Sequence, residues 1–176
     1  MEGKNVYLHI PDISELWYRQ HLMSDAETMS YNRGYEAFEG YDRDTGCIAF
    51  PESEWEEWYQ YFIGNEPKRF CAYIVRKEDG AFIGEVNLHE SSEHDWHEMG
   101  IVIEAKYRGK GYAKIALRQL IEYGFEQMKV KAIHNIFETE RMAAIRTHLA
   151  AGFREYARDD GMVEFLITAK EYVGEN

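Results

Sequence analysis

The chain has 176 residues, with 20 Lys plus Arg against 32 Asp plus Glu and a formal net charge of −12. Its 45% hydrophobic and 30% charged residues make it globular rather than disordered, and at this length a core forms without disulfides, so a cysteine-stapled miniature is excluded. The acidity argues against nucleic acid as a main partner, because duplex binding relies on Lys and Arg neutralising phosphates.

Val6 to Ile10, ended by Pro11-Asp12, predicts a first strand. The next stretch, to about residue 64, has helical character. Ser14 to Trp17 opens one helix and Ser24-Asp25-Ala26-Glu27 has the form of a capped start for another. Pro51-Glu52-Ser53-Glu54-Trp55 begins a third, with Trp55, Trp58, Tyr59 and Phe62 on one face. Gly40 to Gly46 reads as a loop. From Arg69 the period becomes alternating, and Arg69 to Lys77 and Ala81 to His89 form strands around a turn at Glu78-Asp79-Gly80. In the second of these, Phe82, Val86 and Leu88 are expected on one face and Glu85, Asn87 and His89 on the other. A strand from Trp96 to Glu104 follows the polar loop Ser91 to Asp95. Then come a helix from Gly111 to Met128, with Ala113, Leu117, Leu120, Ile121, Gly124 and Met128 on one stripe, and a strand from Ala132 to Glu138. A helix from Arg141 to Ala151 ends at Gly152-Phe153, and two strands meet at Asp159-Asp160-Gly161. The fold class is therefore α/β (α+β): one mixed, mostly antiparallel sheet flanked by helices, a single domain over residues 1–176 with no repeat and no Pro-, Gly- or Ser-rich linker.

The charge is uneven along this order. Residues 1–100 hold 21 acids and 8 bases, residues 101–176 hold 11 acids and 12 bases, and the split predicts parts that meet ligands of different sign. Cys47 and Cys71 lack any CxxC or zinc-ligand spacing, so they read as reduced thiols and no metal site is expected. No apolar run approaches the roughly 18 residues of a membrane helix, which predicts a soluble, cytoplasmic protein without a membrane partner.

The segment with most chemistry is Glu104-Ala105-Lys106-Tyr107-Arg108-Gly109-Lys110-Gly111-Tyr112-Ala113, between a strand and a long helix. Two glycines permit a tight turn rich in N–H donors, the helix start adds its positive dipole end, and Lys106, Arg108, Lys110 and Lys114 add cations. This is a pyrophosphate site by construction. The spacing excludes a Walker A loop, and the third position of a Rossmann fingerprint would fall on Lys114. Arg-x-x-Gly-x-Ala fits, as Arg108, Gly111 and Ala113.

With these residues, with Glu98-Met99-Gly100-Ile101-Val102-Ile103 before them and with Ala144 to Phe153 after them, the chain resembles the GNAT superfamily of acetyl-CoA-dependent N-acetyltransferases. Leu22 to Met29 is similar to the branch of ribosomal-protein and diamine or polyamine acetyltransferases. The resemblance implies acetyl-CoA as cosubstrate, its pantetheine along the Met99 to Glu104 strand on backbone groups of Ile101, Val102 and Ile103. The pyrophosphate would then sit on the N–H groups of Arg108, Gly109, Lys110, Gly111, Tyr112 and Ala113. It also implies direct attack by a primary amine in a ternary complex, with a backbone N–H of the cofactor strand stabilising the carbonyl oxygen.

An amine with a pKa of about 10 must lose a proton before it attacks. Glu98, at the family's frequent acidic position and on one face with Gly100 and Val102, is the expected base, with His97, Glu85, His89 and Glu138 in reserve. Where the family commonly has a tyrosine acid, four residues before Gly-Phe, this chain has His148, expected to protonate the leaving thiolate or to contact the cofactor. Arg141, Ala144 and Ala105 stand where many relatives have asparagine, serine and proline. Tyr31, Tyr35, Glu36, Phe38, Glu39, Tyr41 and Asp42 suggest an acidic, aromatic wall for a cationic amine, a description that polyamines, aminoglycoside-like amines and protein N-termini all satisfy, and a homodimer is among the assemblies the fold admits. Two alternatives stand beside the enzyme: a non-catalytic acetyl-CoA sensor or scaffold, and a Rossmann-type nucleotide binder.

Overall fold

The structure, a computed structural model, describes residues 6–34 and 40–174. Seven strands form one sheet: β1 (Val6–His9), β2 (Arg69–Arg76), β3 (Phe82–Glu90), β4 (His97–Ile103), β5 (Ala132–Glu138), β6 (Arg154–Asp159) and β7 (Met162–Thr168). Their order is β1-β2-β3-β4-β5-β7-β6, and every pairing is antiparallel except β4 with β5. That one parallel step is crossed by α3 (Tyr112–Glu126), the long helix of the chain's second half. The fold is the mixed, mostly antiparallel α/β sheet expected from the alternation pattern.

α3 and α4 (Met142–Ala151) cover one face. Ala116, Leu117, Leu120, Ile121 and Phe125 of α3 pack on Leu88, Met99 and Ile133, and these apolar side chains are almost wholly removed from water. Burial of each of these side chains larger than alanine is worth roughly 1.5–3 kcal/mol before chain entropy is charged. A smaller cluster lies on the opposite face, where α1 (Trp17–Ser24) sets Tyr18, Leu22 and Met23 against Tyr73 and Met29. The amphipathic α2 (Trp55–Phe62) lays Trp58 on Phe62, with ring centroids 4.8 Å apart, and α5 (Ala169–Gly174) ends the described chain.

Two local expectations fail for identifiable reasons. Ser24 ends α1 instead of capping a new helix. Asp25 accepts from the Thr28 hydroxyl at 2.5 Å and supports only a 3₁₀ turn, Thr28–Asn32. The loop between Gly40 and Ala49 packs back onto it, with Ile48 N–H donating to the Met23 carbonyl at 3.0 Å. Phe82 does not share a face with Val86 and Leu88. A register shift between Ile74 and Val75 pairs Val75 with Phe82 but Ile74 with Gly84. The extra residue turns Phe82 towards Tyr18 and Tyr73, while Ile83, Val86 and Leu88 enter the α3 side.

Candidate active site

β4 and β5 pair at two positions only, His97 with Ile133 and Glu98 with His134. Beyond them the strands diverge, each still paired on its outer side: β4 with β3 to Ile103, β5 with β7 to Glu138. The inner edges therefore face a gap rather than each other. A cavity of about 850 Å³ fills it, lined by Met99 to Ile103 on one side and Asn135, Ile136 and Phe137 on the other. One lobe reaches Gly109, Gly111, Ala113, Lys114, Ala144 and His148; a second, under α1, reaches Arg19, Tyr31, Asn32, Glu85 and Asn87.

The turn at the mouth is built locally. Ala105–Tyr107 forms a 3₁₀ turn, tied to the Thr28 hydroxyl by the Ala105 N–H at 2.9 Å. Glu104 is buried, with an oxygen 2.6 Å from Lys106 Nζ. Gly109 and Gly111 take φ of +70° and +83°, a region that costs a side-chain-bearing residue about 1–2 kcal/mol, and no heavy atom lies within 4 Å of where a Cβ would stand on either. Their backbone is thus open to a ligand, and the first turn of α3 adds N–H groups that have no carbonyl partner within the helix.

Most of the residues expected to hold a cofactor line this cavity: Ile101, Val102, Ile103, Arg108, Gly109, Gly111, Tyr112 and Ala113. Two details change. The Arg108 N–H closes the 3₁₀ turn on the Ala105 carbonyl at 3.1 Å, and its guanidinium bonds the carbonyls of Ile103 (3.0 Å), Glu27 and Thr28. Arg108 therefore straps the turn to the strand end and to the 3₁₀ segment instead of aiming its charge at a ligand. Lys110 is not among the lining residues; its Nζ donates to the Lys106 carbonyl at 2.8 Å. Lys114, one helical turn on, supplies a lining cation.

His148 lines the cavity, 2% exposed and surrounded by Phe137, Phe153 and Phe165. Its Nδ1 is 2.8 Å from the Ala144 carbonyl, so that nitrogen carries the proton, and Nε2 accepts from the Asn135 amide at 2.9 Å. Burial pushes its pKa down to about 4. In this arrangement the one N–H of the neutral imidazole is committed to a backbone carbonyl, while the ring lines the cavity beside Ala144 and Thr147.

Glu98 is outside the lining, at the apex where β4 and β5 part. Its oxygens accept from Trp96 Nε1 at 2.6 Å and meet His134 Nδ1 at 2.7 Å, while His134 Nε2 lies 3.1 Å from Glu164. Burial acts upward on the Glu98 pKa, but these two hydrogen bonds outweigh it and hold it below the ordinary value. Burial acts downward on His134, and its two carboxylate partners outweigh that and raise it. Among the reserve carboxylates Glu85 does line the cavity; Glu138 lies 3.4 Å from Arg141, and the His97 ring is 2.7 Å from the Pro67 carbonyl.

Of the expected acceptor wall, Tyr35, Glu36, Phe38 and Glu39 fall outside the described residues. Tyr31 lines the cavity, but its ring already carries the Arg141 guanidinium 4.8 Å from its centroid. Tyr41 bridges to Ile48, and Asp42 caps its own loop through the Asp44 N–H at 2.9 Å. The partners unread in the sequence are His134, Glu164, Asn135 and Arg19. Each is brought in by register or by a contact distant in sequence, and only the alternation that sets His134 opposite Ile133 hinted at one of them.

The lining fits an extended anionic ligand at its turn end, with an open strand edge, a glycine turn presenting N–H groups and Lys114 beside it, while Arg19 is ion-paired with Glu85, the single carboxylate among the described lining residues. Among these residues no group of three or more His, Cys, Asp or Glu could hold a metal ion, and no helix is long and apolar enough to cross a membrane.

A family model described as an acetyltransferase (GNAT) domain matches residues 8–154. The spermidine N(1)-acetyltransferase of Escherichia coli K12 is 28% identical over 159 residues, 89% of this chain and 75% of that protein. An uncharacterized N-acetyltransferase of Bacillus subtilis, YnaD, is 27% identical over 128 residues, 69% of this chain and 74% of its own. In fold the chain is similar to the spermidine N-acetyltransferase of Vibrio cholerae solved in complex with CoA and spermine, at a TM-score of 0.73 and 20% identity over 97% of this chain and 99% of that one. A GNAT-family acetyltransferase of Bacillus anthracis gives a TM-score of 0.69 at 18% identity, covering 97% and 98%.

Proposed function

The chain belongs to the GNAT acetyltransferases, enzymes that use acetyl-CoA, and on that premise we propose that it acetylates a primary amine of a small cationic acceptor by direct attack in a ternary complex. The observation that carries this is the parting of β4 from β5, which opens a strand edge beside a glycine turn and places a second, polar lobe on the other face of the sheet. Acetyl-CoA supplies an activated acyl group. The β4 backbone from Ile101 to Ile103 holds and orients the arm that carries it, and one of its N–H groups stabilises charge on the carbonyl oxygen. N–H groups from Gly109 through Ala113, with Lys114, hold the pyrophosphate.

The acceptor amine enters from the α1 side and gives up its proton towards Glu98, through water, since that carboxylate lies just beyond the cavity apex and is kept ionised by Trp96 and His134. The relatives that act on spermidine or bind spermine support a cationic acceptor. A thiol-release assay over a panel of polyamines, aminoglycosides and peptide N-termini tests the reading. Turnover with at least one cationic amine is the expected result, and CoA release no faster than hydrolysis with every amine would overturn it in favour of a binding protein.

A further inference from the structure

Arg141 stands where the two lobes of the cavity meet. It directly precedes α4, whose Ala144 and His148 reach the cofactor lobe. Its guanidinium lies 4.8 Å from the ring centroid of Tyr31, in the lobe under α1, and 5.5 Å from that of Phe137 on the β5 edge. Positions 141, 144 and 148 follow the spacing of one helix face, and all three line the same cavity. A cofactor in one lobe and an acceptor in the other can react only at this junction.

The Arg141 charge is permanent and largely uncommitted. A guanidinium does not lose its proton in a folded protein, and it carries five N–H donors. Nη1 points to Glu138 at 3.4 Å, longer than the roughly 2.7–2.9 Å of a good charge-assisted bond, and among the described residues no hydrogen bond engages Nε or Nη2. Apart from Glu138, the neighbouring groups bring it no negative charge. His148 is kept neutral by burial and, in smaller part, by Arg141 itself. Burial keeps the Tyr31 hydroxyl protonated against the pull of Arg141 and Arg108. Glu85, the one carboxylate in the described lining, is paired with Arg19.

Acyl transfer develops a negative charge at this junction. As the amine nitrogen bonds to the acyl carbon, the carbon–sulfur bond breaks and its electron pair stays on sulfur. The proton that the amine gives up goes towards Glu98 through water, away from that sulfur. An ordinary thiol ionises at about pH 8.5, so near neutrality the departing sulfur needs a proton or a cation beside it. The N–H of His148 is engaged by the Ala144 carbonyl. The uncommitted donors of Arg141 face the same cavity.

We propose that Arg141 is a catalytic residue of the acyl transfer: its uncommitted guanidinium N–H groups pair with the leaving thiolate and stabilise it by charge, rather than by protonation, until solvent supplies the proton. The same cation disfavours an ammonium at the point of attack, in keeping with a free amine as the nucleophile. This rests on the reading of the chain as an amine acetyltransferase, but its first test needs neither an acceptor nor turnover.

The ultraviolet absorbance of the thiolate is followed as pH is raised in the CoA complex of the full chain, with the complex of desulfo-CoA, which lacks the sulfur, as the blank. Wild type is expected to ionise bound CoA at a pH about one unit or more below that of free CoA. Arg141→Gln should return the midpoint to that of free CoA or above, and Arg141→Lys, which keeps a cation, should hold it below. Arg141→Gln should also lose the wild-type preference for CoA over desulfo-CoA in calorimetry, keep its affinity for desulfo-CoA, and lower kcat about tenfold or more. A wild-type midpoint equal to or above that of free CoA, or one that Arg141→Gln does not move, overturns the proposal. So does a loss of affinity for CoA and desulfo-CoA alike, which would make Arg141 a contact of the cofactor arm instead. Failure of every amine in the thiol-release panel would overturn the amine reading and leave the thiolate titration standing.

Discussion

Glu98 Oε2 and His134 Nδ1 lie 2.7 Å apart across the last pairing of β4 with β5, each favouring the charged form of the other. Their pKa values are displaced in opposite directions, Glu98 below its ordinary 4.5 and His134 above its ordinary 6.5. The Glu98 contribution is present above pH 4.5 and is lost as pH falls through the lowered value. The His134 contribution is present below pH 6.5 and is lost as pH rises through the raised one. Urea unfolding of His134→Gln should therefore show its largest loss, about 1 kcal/mol, between these two pH values and a narrowing gap in more alkaline buffer. A gap independent of pH would show that the pair is not ionised as the geometry indicates.

Glu98→Gln keeps the shape and removes the proton acceptor. We expect kcat to fall by about 10²–10⁴-fold, with the affinity for acetyl-CoA unchanged. A change of less than threefold in steady-state rate would confine Glu98 to holding His134.

His148 has the opposite linkage to His134. Its folded pKa of about 4 lies below the ordinary 6.5, so the unfolded chain takes up a proton that the native chain refuses. Stability should fall as pH drops from 6.5 towards 4, by up to roughly 3 kcal/mol from this one residue. Replacing it with an uncharged ring, as in His148→Tyr, should flatten that slope in pH-dependent melts. A slope identical to wild type would mean that the imidazole protonates in place.

At Gly111 the backbone is left-handed and opens onto the cavity. Gly111→Asp places a carboxylate where the pyrophosphate is proposed to sit and should abolish acetyl-CoA binding by calorimetry. Gly111→Ala should retain binding with about 1–2 kcal/mol of lost stability. Equal affinities for wild type and Gly111→Asp would remove the turn from the cofactor site.

How far the sequence is legible follows the range of the interactions. β5 was expected at Ala132 to Glu138 and is found there, because alternating apolar residues and a flanking turn are local signals. The glycine turn was readable for the same reason. The face of Phe82 was not, since a bulge that moves one residue depends on the partner strand. The bonds of the Arg108 guanidinium to three carbonyls were not readable, because a guanidinium near a phosphate turn has the same sequence signature whether it meets an anion or a carbonyl. Arg19 and Glu85 are 66 positions apart, and nothing local in either segment announces that they meet. His148 showed as a departure from a family tyrosine, but the three phenylalanines around it, whose burial of the ring keeps it neutral, come from β5, β7 and the link after α4.

The two pairings that join β4 to β5 also divide the sheet. Strands β1 to β4 and strands β5 to β7 are each continuously laddered, and between them stand one short seam and the α3 crossover. A ligand lying along the open β4 edge would act as an interpolated eighth strand, mending the ladder across the gap. The gap-facing amides among residues 99–103 and 135–138, those not laddered to β3 or β7, should then exchange with deuterium together, fast in the free chain and slowly once the gap is bridged.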